Sequence, residues 1–329
     1  MKILITGGAG FIGSHLCERL CRNNSVVVLD NLSTGSLKNI SSLIKQKKIR
    51  FINGDILDRP LVEKLVKDAD VVYHLAAAVG VKKIMKKPSE AIMTNIVGSH
   101  NVIESCAKHK KLLILASTSE VYGKSKKFPL NESDDRVYGP TEKLRWNYAE
   151  SKALDEMLSL AYLGHHGLRA IIIRLFNVVG ERQAAYYGMV LPRFAEQALK
   201  GEPLTVYGTG RQTRCFSYVG DISECLAALH GKKKALGKVI NLGSNEEISI
   251  ISLAKKVRKI AKSKSEIIFI PYKKVEEEYG SGFEDIERRL PDLSKARKLL
   301  GFRQKMKIDE IVRRVVEEKK LTMKNNARS

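Results

Sequence analysis

Tyr148 and Lys152 lie four residues apart in a stretch that predicts a long helix beginning near Arg145. Residues with this spacing share one helical face, so the Tyr148 hydroxyl and the Lys152 ammonium can point into one pocket. The chain repeats the spacing at Tyr122 and Lys126, but in a glycine-containing loop, where a four-residue spacing aligns nothing. The first pair is therefore the better candidate for acid–base chemistry.

A second chemical signal lies at the N-terminus, where a short apolar strand runs into a glycine-rich turn. Gly7, Gly10 and Gly13 satisfy G-x-x-G-x-x-G, and residues 8–13 also satisfy G-x-G-x-x-G. Glycines at these places allow a tight turn, close approach of a pyrophosphate and packing of the next helix on the strand. That helix, predicted from Ser14, would direct its N-terminal amides at the anion.

The acid that ends the second predicted strand selects the dinucleotide. Asp30 follows a run of apolar residues and can accept hydrogen bonds from both ribose hydroxyls. A carboxylate at this place would repel a 2′-phosphate, so NAD is favoured over NADP. Strand, glycine turn, helix and acid together predict an NAD site.

Further cofactor contacts are expected where the other strands end. Residues 31–35 form a polar turn near the ribose, and small residues follow the fourth strand. Asp55 could accept from the adenine amino group or cap the helix near Arg59. The complete candidate set for the cofactor is Gly7, Gly10, Phe11, Ile12, Gly13, Asp30, Asn31, Ser33, Thr34, Gly35, Asp55, Ile56, Leu75, Ala76, Ala77, Asn95, Tyr148 and Lys152.

The alternation of short apolar strands with helical segments predicts the fold class. It implies right-handed crossovers and a doubly wound parallel sheet of the Rossmann type. We expect residues 1–176 to form the NAD-binding domain, with a returning strand within residues 215–245. Residues 177–214 and 246–329 are expected to form a smaller C-terminal α/β lobe that binds substrate, with a frayed tail after Glu318.

Composition limits the class of protein. The 329 residues carry a formal charge of +22, but the lysines are scattered in short groups, which favours a solvated surface that attracts an anionic small molecule over a nucleic-acid face. The five cysteines form no CxxC pair or metal-ligand spacing, so we expect reduced thiols, no metal and a cytoplasmic protein. No apolar run reaches the length of a membrane span, and no secretory segment is expected.

Together, the glycine turn at residues 7–13, the polar string at residues 117–123 and Tyr148-x-x-x-Lys152 resemble the extended short-chain dehydrogenases/reductases that act on nucleotide sugars. The resemblance covers essentially the whole chain. It implies that Lys152, beside the positive nicotinamide, lowers the pKa of Tyr148 so that a phenolate removes the proton of the sugar C-4 hydroxyl. Thr118 stands where the family hydrogen-bonds that hydroxyl. Hydride then passes to NAD and leaves a 4-keto sugar.

The step after oxidation divides the family. The string at residues 118–123 is similar to that of UDP-glucuronate decarboxylases, where a serine and a glutamate at the positions of Ser119 and Glu120 are implicated in decarboxylation. A C-4 ketone is β to the uronate carboxylate, so loss of carbon dioxide leaves an enolate that Arg289 could stabilise. Two further segments are similar to those enzymes, at residues 139–148 and 279–291.

Other stretches resemble UDP-hexose 4-epimerases. An epimerase would need only Thr118, Tyr148 and Lys152, and Glu120 would then be structural. A 4,6-dehydratase fits less well, because Ser119 stands where that subfamily has aspartate. The decarboxylase is our leading hypothesis, the 4-epimerase is the alternative, and a non-catalytic NAD- or RNA-binding member is a remote one. The epimerase-like stretches are residues 76–81, 95–98 and 176–180.

The resemblance also implies a UDP-sugar site and a homodimer. A planar guanidinium can contact phosphate bidentately, so Arg214 and Arg289 are candidates for the diphosphate. Arg289 cannot easily serve both the diphosphate and the uronate. Dimerisation is implied through the helices near Asn95 and Arg145. The candidate substrate-binding residues are Asn177, Val190, Thr205, Tyr207, Arg214 and Arg289.

Overall fold

A computed structural model describes residues 1–184, 189–279 and 283–326. Gly280 and Gly282, which belong to the decarboxylase-like segment, lie outside these residues. The strands are β1 Lys2–Thr6, β2 Ser25–Asp30, β3 Ile49–Asn53, β4 Val71–His74, β5 Leu112–Thr118, β6 Arg169–Leu175, β7 Val178–Val179, β8 Leu204–Tyr207, β9 Thr213–Cys215, β10 Ser217–Tyr218, β11 Val239–Leu242, β12 Glu247–Ser249 and β13 Ile267–Ile270.

The helices flank and extend the strands. They are α1 Phe11–Leu20, α2 Ser41–Lys45, α3 Arg59–Asp68, α4 Val81–Lys86, α5 Pro88–Met93, α6 Ser99–Lys108, α7 Asn147–His166, α8 Val190–Lys200, α9 Val219–Ala228, α10 Ile250–Ile260, α11 Tyr272–Tyr279, α12 Ser294–Leu300 and α13 Ile308–Asn326. No helix among the described residues is both long and apolar enough to cross a bilayer.

Seven strands form one parallel sheet in the order β3-β2-β1-β4-β5-β6-β11. The strand order reverses between β1 and β4, which opens a crevice at their carboxyl ends where such folds bind ligands. The predicted Rossmann-type fold is therefore confirmed.

Alternation along the strands explains why helices cover both faces of the sheet. Ile3 and Ile5 of β1 pack into one core with α1 and α9, while Leu4 packs into a second core with α3 and α6. Successive strand side chains point to opposite faces, so a strand buried on both sides must be apolar throughout.

The later part of the chain builds a separate core and also returns to the sheet. Phe194 of α8, Leu253 of α10 and Val312 of α13 lie together in the third core, beside the strand pair β8–β13. Between these elements, α9 packs against α1, and β11 pairs in parallel with β6. The proposed division at residue 176 falls between β6 and β7.

Three helix boundaries differ from the sequence prediction. The helix expected from Asn95 begins with a π-helical turn at Thr94–Gly98, and the one expected near Arg145 begins as a 3-10 turn at Leu144–Trp146. The tail expected to fray after Glu318 is helical to Asn326. The Lys319 ammonium anchors it by donating to the Gln183 carbonyl over 2.9 Å.

Candidate functional site

A cleft of about 330 Å³ opens at the carboxyl ends of the strands. A second cavity of about 190 Å³ adjoins it, and both are lined by Glu120, Tyr148, Asn177 and Arg289. The predicted residues that line the first cleft are Gly7, Gly10, Phe11, Ile12, Gly13, Asp30, Asn31, Ser33, Thr34, Ile56, Leu75, Ala76, Ala77, Thr118, Ser119, Glu120 and Tyr148.

The glycine turn leaves no room for side chains. Gly7 has a φ of +75°, and a Cβ there would lie 2.7 Å from the Ala76 amide nitrogen. A Cβ on Gly13 would lie 2.2 Å from the Gly7 carbonyl oxygen. Backbone groups at the start of α1 therefore form the wall of the cleft, as a pyrophosphate requires.

Asp30 is fixed by backbone amides at the edge of the cleft. Its Oδ2 accepts from Ala9 N over 2.9 Å and its Oδ1 accepts from Leu32 N over 2.8 Å. Burial raises the pKa of Asp30, and these two bonds oppose that rise. Each carboxylate oxygen still has a lone pair for a ribose hydroxyl. The glycine cradle and this carboxylate fit NAD.

Four predicted cofactor residues do not line the cleft, namely Gly35, Asp55, Asn95 and Lys152. Asp55 accepts from Asn31 Nδ2 over 2.7 Å and from Leu57 N over 2.9 Å. It therefore supports the turn formed by residues 31–35. It does not cap α3 either, because Asp58 accepts from Leu61 N. These bonds give Asp55 a supporting role, and its contact with adenine stays a prediction.

Asn95 also supports the wall of the cleft. Its Oδ1 accepts from Ala78 N over 2.7 Å, and its Nδ2 donates to the Ala78 carbonyl over 3.1 Å. Both polar groups of the fully buried amide are satisfied by the loop after β4. Asn95 holds that loop beside the cleft, and its contact with the dinucleotide stays a prediction.

Thr118 and Tyr148 meet as predicted. Thr118 ends β5, Tyr148 lies in the first turn of α7, and their side chains are hydrogen-bonded. Burial raises the pKa of Tyr148, the negative charges of Glu120 and Asp155 raise it further, and the Thr118 bond opposes them. The phenol is therefore protonated in the protein alone.

Lys152 does not reverse this effect. Its buried ammonium donates to Asp155 Oδ2 over 2.8 Å, so its positive charge is compensated close by. The predicted lowering of the Tyr148 pKa by Lys152 is thus not what the protein's own charges produce. Bound NAD would supply a positive nicotinamide ring and accept the hydride.

Glu120 lies between two arginines. Arg145 Nη1 donates to its Oε2 over 2.7 Å, and Arg289 Nη2 lies 3.6 Å from its Oε1. Burial alone would raise the pKa of Glu120, but the charges of Arg145 and Arg289 lower it to about 2. Beside it, the buried Ser119 Oγ has no hydrogen-bond partner among the described residues. The site therefore holds an ionised carboxylate and an unpaired hydroxyl.

The second cavity contains five of the six predicted substrate residues, namely Asn177, Val190, Tyr207, Arg214 and Arg289. Arg214 is buried and donates to Asp285 Oδ1 over 2.5 Å. Thr205 does not line the cavity, because its hydroxyl and amide are bonded to the Gln197 side chain. These bonds tie Thr205 to α8, and its role in binding substrate stays a prediction.

The sequence analysis did not identify two arginines that line the second cavity, Arg193 and Arg145. Arg193 stacks its guanidinium 4.1 Å from the centre of the Tyr207 ring, and its buried Nε and Nη1 have no hydrogen-bond partner among the described residues. Arg145 was noted only as part of a similar segment. Its position three residues before Tyr148 was the available signal, whereas nothing in the local sequence identified Arg193.

Arg182 is a third residue that the sequence analysis did not identify. It lines the cofactor cleft with a φ of +68° and donates to Ser14 Oγ over 3.1 Å. This places a guanidinium at the first turn of α1, near the predicted pyrophosphate. Among the residues that the structure describes, no cluster of histidine, cysteine or acidic side chains could hold a metal ion.

Comparisons with known proteins agree with this geometry. The family described as GDP-mannose 4,6 dehydratase matches residues 4–315. A UDP-N-acetyl-alpha-D-glucosaminuronate decarboxylase of Bacillus cytotoxicus is 43% identical over 303 residues, 92% of each chain. UDP-glucuronic acid decarboxylase 1 of Danio rerio is 34% identical over 96% of this chain and 72% of its own. A Bacillus cereus UDP-glucuronic acid 4-epimerase, solved with UDP-glucuronic acid and NAD, has 32% identity and a TM-score of 0.87, covering 98% of this chain and 100% of its own.

Proposed function

Since this chain belongs to the GDP-mannose 4,6-dehydratase family of extended short-chain dehydrogenases/reductases, NAD-dependent enzymes of nucleotide sugars, we propose that it decarboxylates a UDP-linked uronate. The observation that carries the proposal is Glu120, an ionised carboxylate held between Arg145 and Arg289 beside Tyr148. Transient oxidation at C-4 needs Thr118, Tyr148 and Lys152 alone. The charged group formed by Glu120, Arg145 and Arg289 beside them suits a second chemical step, the loss of carbon dioxide.

The proposed reaction begins with proton and hydride removal at C-4. Tyr148, once deprotonated, takes the hydroxyl proton, Thr118 orients that hydroxyl, and the C-4 hydride would pass to NAD when it is bound. In the resulting β-keto acid the C-5–C-6 bond breaks, carbon dioxide leaves, and the electron pair moves to the C-4 oxygen. Arg289 stabilises this enolate, and C-5 takes a proton from the Ser119 hydroxyl, which regains one from water.

The charge of the second cavity supports an anionic sugar. Arg145, Arg214 and Arg289 bring three positive charges, while Glu120 and Asp285 bring two negative ones. The remaining positive charge matches one carboxylate, because a buried charge is stable only when it is paired. Arg193 then provides further positive charge for the diphosphate.

A 4-epimerase is the second candidate. The specific observation in its favour is the fold of the Bacillus cereus UDP-glucuronic acid 4-epimerase, which matches over 98% of this chain. Thr118, Tyr148 and Lys152 would suffice for that reaction, with Glu120 ordering the turn after β5. The two functions differ in the fate of C-6, so a product assay separates them.

We would test the function by product analysis with two substrates. The named relatives suggest UDP-glucuronate and UDP-N-acetylglucosaminuronate, each labelled with carbon-13 at the carboxyl group. We expect labelled carbon dioxide by NMR, together with a UDP-4-keto-pentose, or with a UDP-pentose where the hydride returns to C-4, or their N-acetylated counterparts. A retained label with inverted configuration at C-4 would favour the epimerase, and no conversion of either substrate would contradict both functions.

We also propose a homodimer formed through α5 and α7. Met93, Leu154, Met157 and Leu160 are large apolar side chains between 39% and 55% exposed on these two helices. Several exposed apolar residues on neighbouring helices are typical of an interface. A second copy would bury them in an isologous contact.

A cytoplasmic location belongs to the same proposal. All five cysteines are free thiols, as a reducing compartment requires. Fractionation of the source cells should recover the protein with cytoplasmic markers, and recovery outside the cytoplasm would contradict this location.

A further inference from the structure

We infer that Asp155 is a positioning residue that keeps the Lys152 ammonium charged and fixed beneath the cleft, through a buried chain of side chains that begins at the cofactor loop. The inference does not depend on decarboxylation, because both candidate reactions begin with the same oxidation at C-4. It concerns a carboxylate that neither the sequence motifs nor the proposed chemistry uses.

The chain of hydrogen bonds is continuous. Lys152 Nζ donates to Asp155 Oδ2 over 2.8 Å, and Ser99 Oγ donates to the same oxygen over 2.9 Å. His74 Nε2 lies 3.0 Å from Ser99 Oγ, and His74 Nδ1 lies 2.7 Å from Thr6 Oγ1. Thr6 immediately precedes the glycine turn, so the chain joins α7, α6, β4 and the end of β1.

The direction of the bonds requires a carboxylate at the end of the chain. Thr6 Oγ1 accepts from Ala76 N over 3.3 Å, so its own proton is free for His74 Nδ1. His74 then donates from Nε2 to Ser99, and Ser99 donates to Asp155. An ionised carboxylate only accepts, so it terminates a series in which every group donates in one direction.

Burial makes the counter-ion necessary. All five side chains are at most 2% exposed. An ammonium removed from water without a partner loses its proton, because burial penalises the charged form. Lys152 has three N–H donors and uses one on Asp155, so a direct hydrogen bond joins the buried cation to its counter-ion.

Other charges around Asp155 do not replace this pairing. Glu156, its neighbour on α7, is neutralised by Arg174 at 2.7 Å. His74 is the titratable group on β4, and burial together with the charge of Lys152 lowers the pKa of that imidazole to about 3. On α6, Ser99 is neutral. Lys152 is therefore the cation paired with Asp155 among the described residues.

The test is Asp155→Asn, which keeps an acceptor for Lys152 but removes the charge. Without its counter-ion Lys152 should lose its proton at lower pH. In a plot of the NADH formation rate against pH, the decline at high pH, called the basic limb, should therefore move to lower pH by at least about one unit. Glu150→Gln, which removes an exposed carboxylate from the same helix, should leave that limb in place. Asp155→Glu should restore it.

A readout without cofactor accompanies the kinetics. Nitrogen-15 NMR of the lysine amines, with Lys152 assigned from its loss in Lys152→Met, should show it titrating at lower pH in Asp155→Asn. If Asp155→Asn does not fold, Asp155→Ser, a smaller side chain that also lacks the charge, should shift the Lys152 titration in the same direction. An unchanged basic limb and an unchanged amine titration would overturn the inference. NADH formation is read separately from carbon dioxide release, so failure of the proposed decarboxylation would be distinguishable.

Discussion

Tyr148 and Glu120 line the same cleft, yet their surroundings move their pKa values in opposite directions. Burial and nearby negative charge raise the pKa of Tyr148, whereas Arg145 and Arg289 lower that of Glu120 to about 2 against the effect of burial. Two titratable groups driven apart in this way can take different roles at one pH. The phenol is the group whose ionisation should limit the rate on the acid side.

Tyr148→Phe tests the proposed base. We expect NADH formation to fall by about 10²–10⁴-fold, the range associated with general base catalysis. NAD should remain bound, because the glycine turn and Asp30 are unchanged. Tyr162→Phe, which removes a half-buried hydroxyl from the same helix, is the matched control. A rate within tenfold of the wild-type rate would rule out Tyr148 as the base.

Glu120→Gln tests the second step. The amide keeps the shape but loses the charge between Arg145 and Arg289, so carbon dioxide release should fall by at least about 10²-fold while NADH formation continues. Because the negative charge of Glu120 raises the pKa of Tyr148, its removal should move the acid limb of NADH formation to lower pH. Equal loss of both steps would assign Glu120 a structural role.

Sequence reasoning identified the residues whose function follows from their place in a local motif. Thr118, Glu120 and Tyr148 are fixed by the end of one strand and the first turn of one helix. The hydrogen bonds that Asp55 and Asn95 make were not predictable, because the sequence shows where a residue lies along the chain but not which groups its side chain satisfies. Arg193 was missed because it reaches the cavity only through the packing of α8 beside β8.

The large elements were predictable and their ends were less so. Parallel strands buried on both faces must be continuously apolar, and such runs are visible in the sequence. The continuation of α13 depends on a long-range bond from Lys319 to Gln183, which no periodicity reveals. The π-helical turn at Thr94–Gly98 was likewise hidden within a helical pattern.

Gly13→Ala tests the element on which cofactor binding depends. The added methyl group would lie 2.2 Å from the Gly7 carbonyl oxygen, so the turn must open and the start of α1 must shift. We expect NAD affinity to fall by at least about tenfold, because the backbone cradle is displaced. The measurement is calorimetric titration with NAD.

Gly164→Ala is the control for this change. A Cβ there meets nothing within 4 Å, and alanine favours helix at this position of α7. Its NAD affinity should equal that of the wild type. Equal affinity of Gly13→Ala and wild type would show that the turn does not form the pyrophosphate site.

At the scale of the whole molecule, the site lies where the large sheet meets the later elements. Glu120 follows β5 of the sheet, while Arg289 comes from the segment before α12, and the two lie 3.6 Å apart. The +22 charge of the chain attracts anionic substrates to this cleft. Neither the meeting point nor its charge balance could be derived from local sequence.

Met157→Glu tests the proposed dimer. Burying an unpaired carboxylate in an apolar contact is costly, so the dimer should dissociate at concentrations where the wild type is dimeric. Leu321→Glu changes an equally exposed apolar residue on α13 and should leave the mass unchanged. Analytical ultracentrifugation measures both. A monomeric wild type, or a dimeric Met157→Glu, would contradict the interface.

The most direct test is a single turnover of carboxyl-labelled UDP-glucuronate, or of its N-acetylated counterpart, that follows NADH absorbance and released carbon dioxide together. We predict that NADH appears first, that carbon dioxide follows, and that deuterium at C-4 slows the NADH phase. Carbon dioxide released without prior NADH, or an NADH phase that deuterium leaves unchanged, would contradict oxidation at C-4 as the step that makes the carboxylate labile.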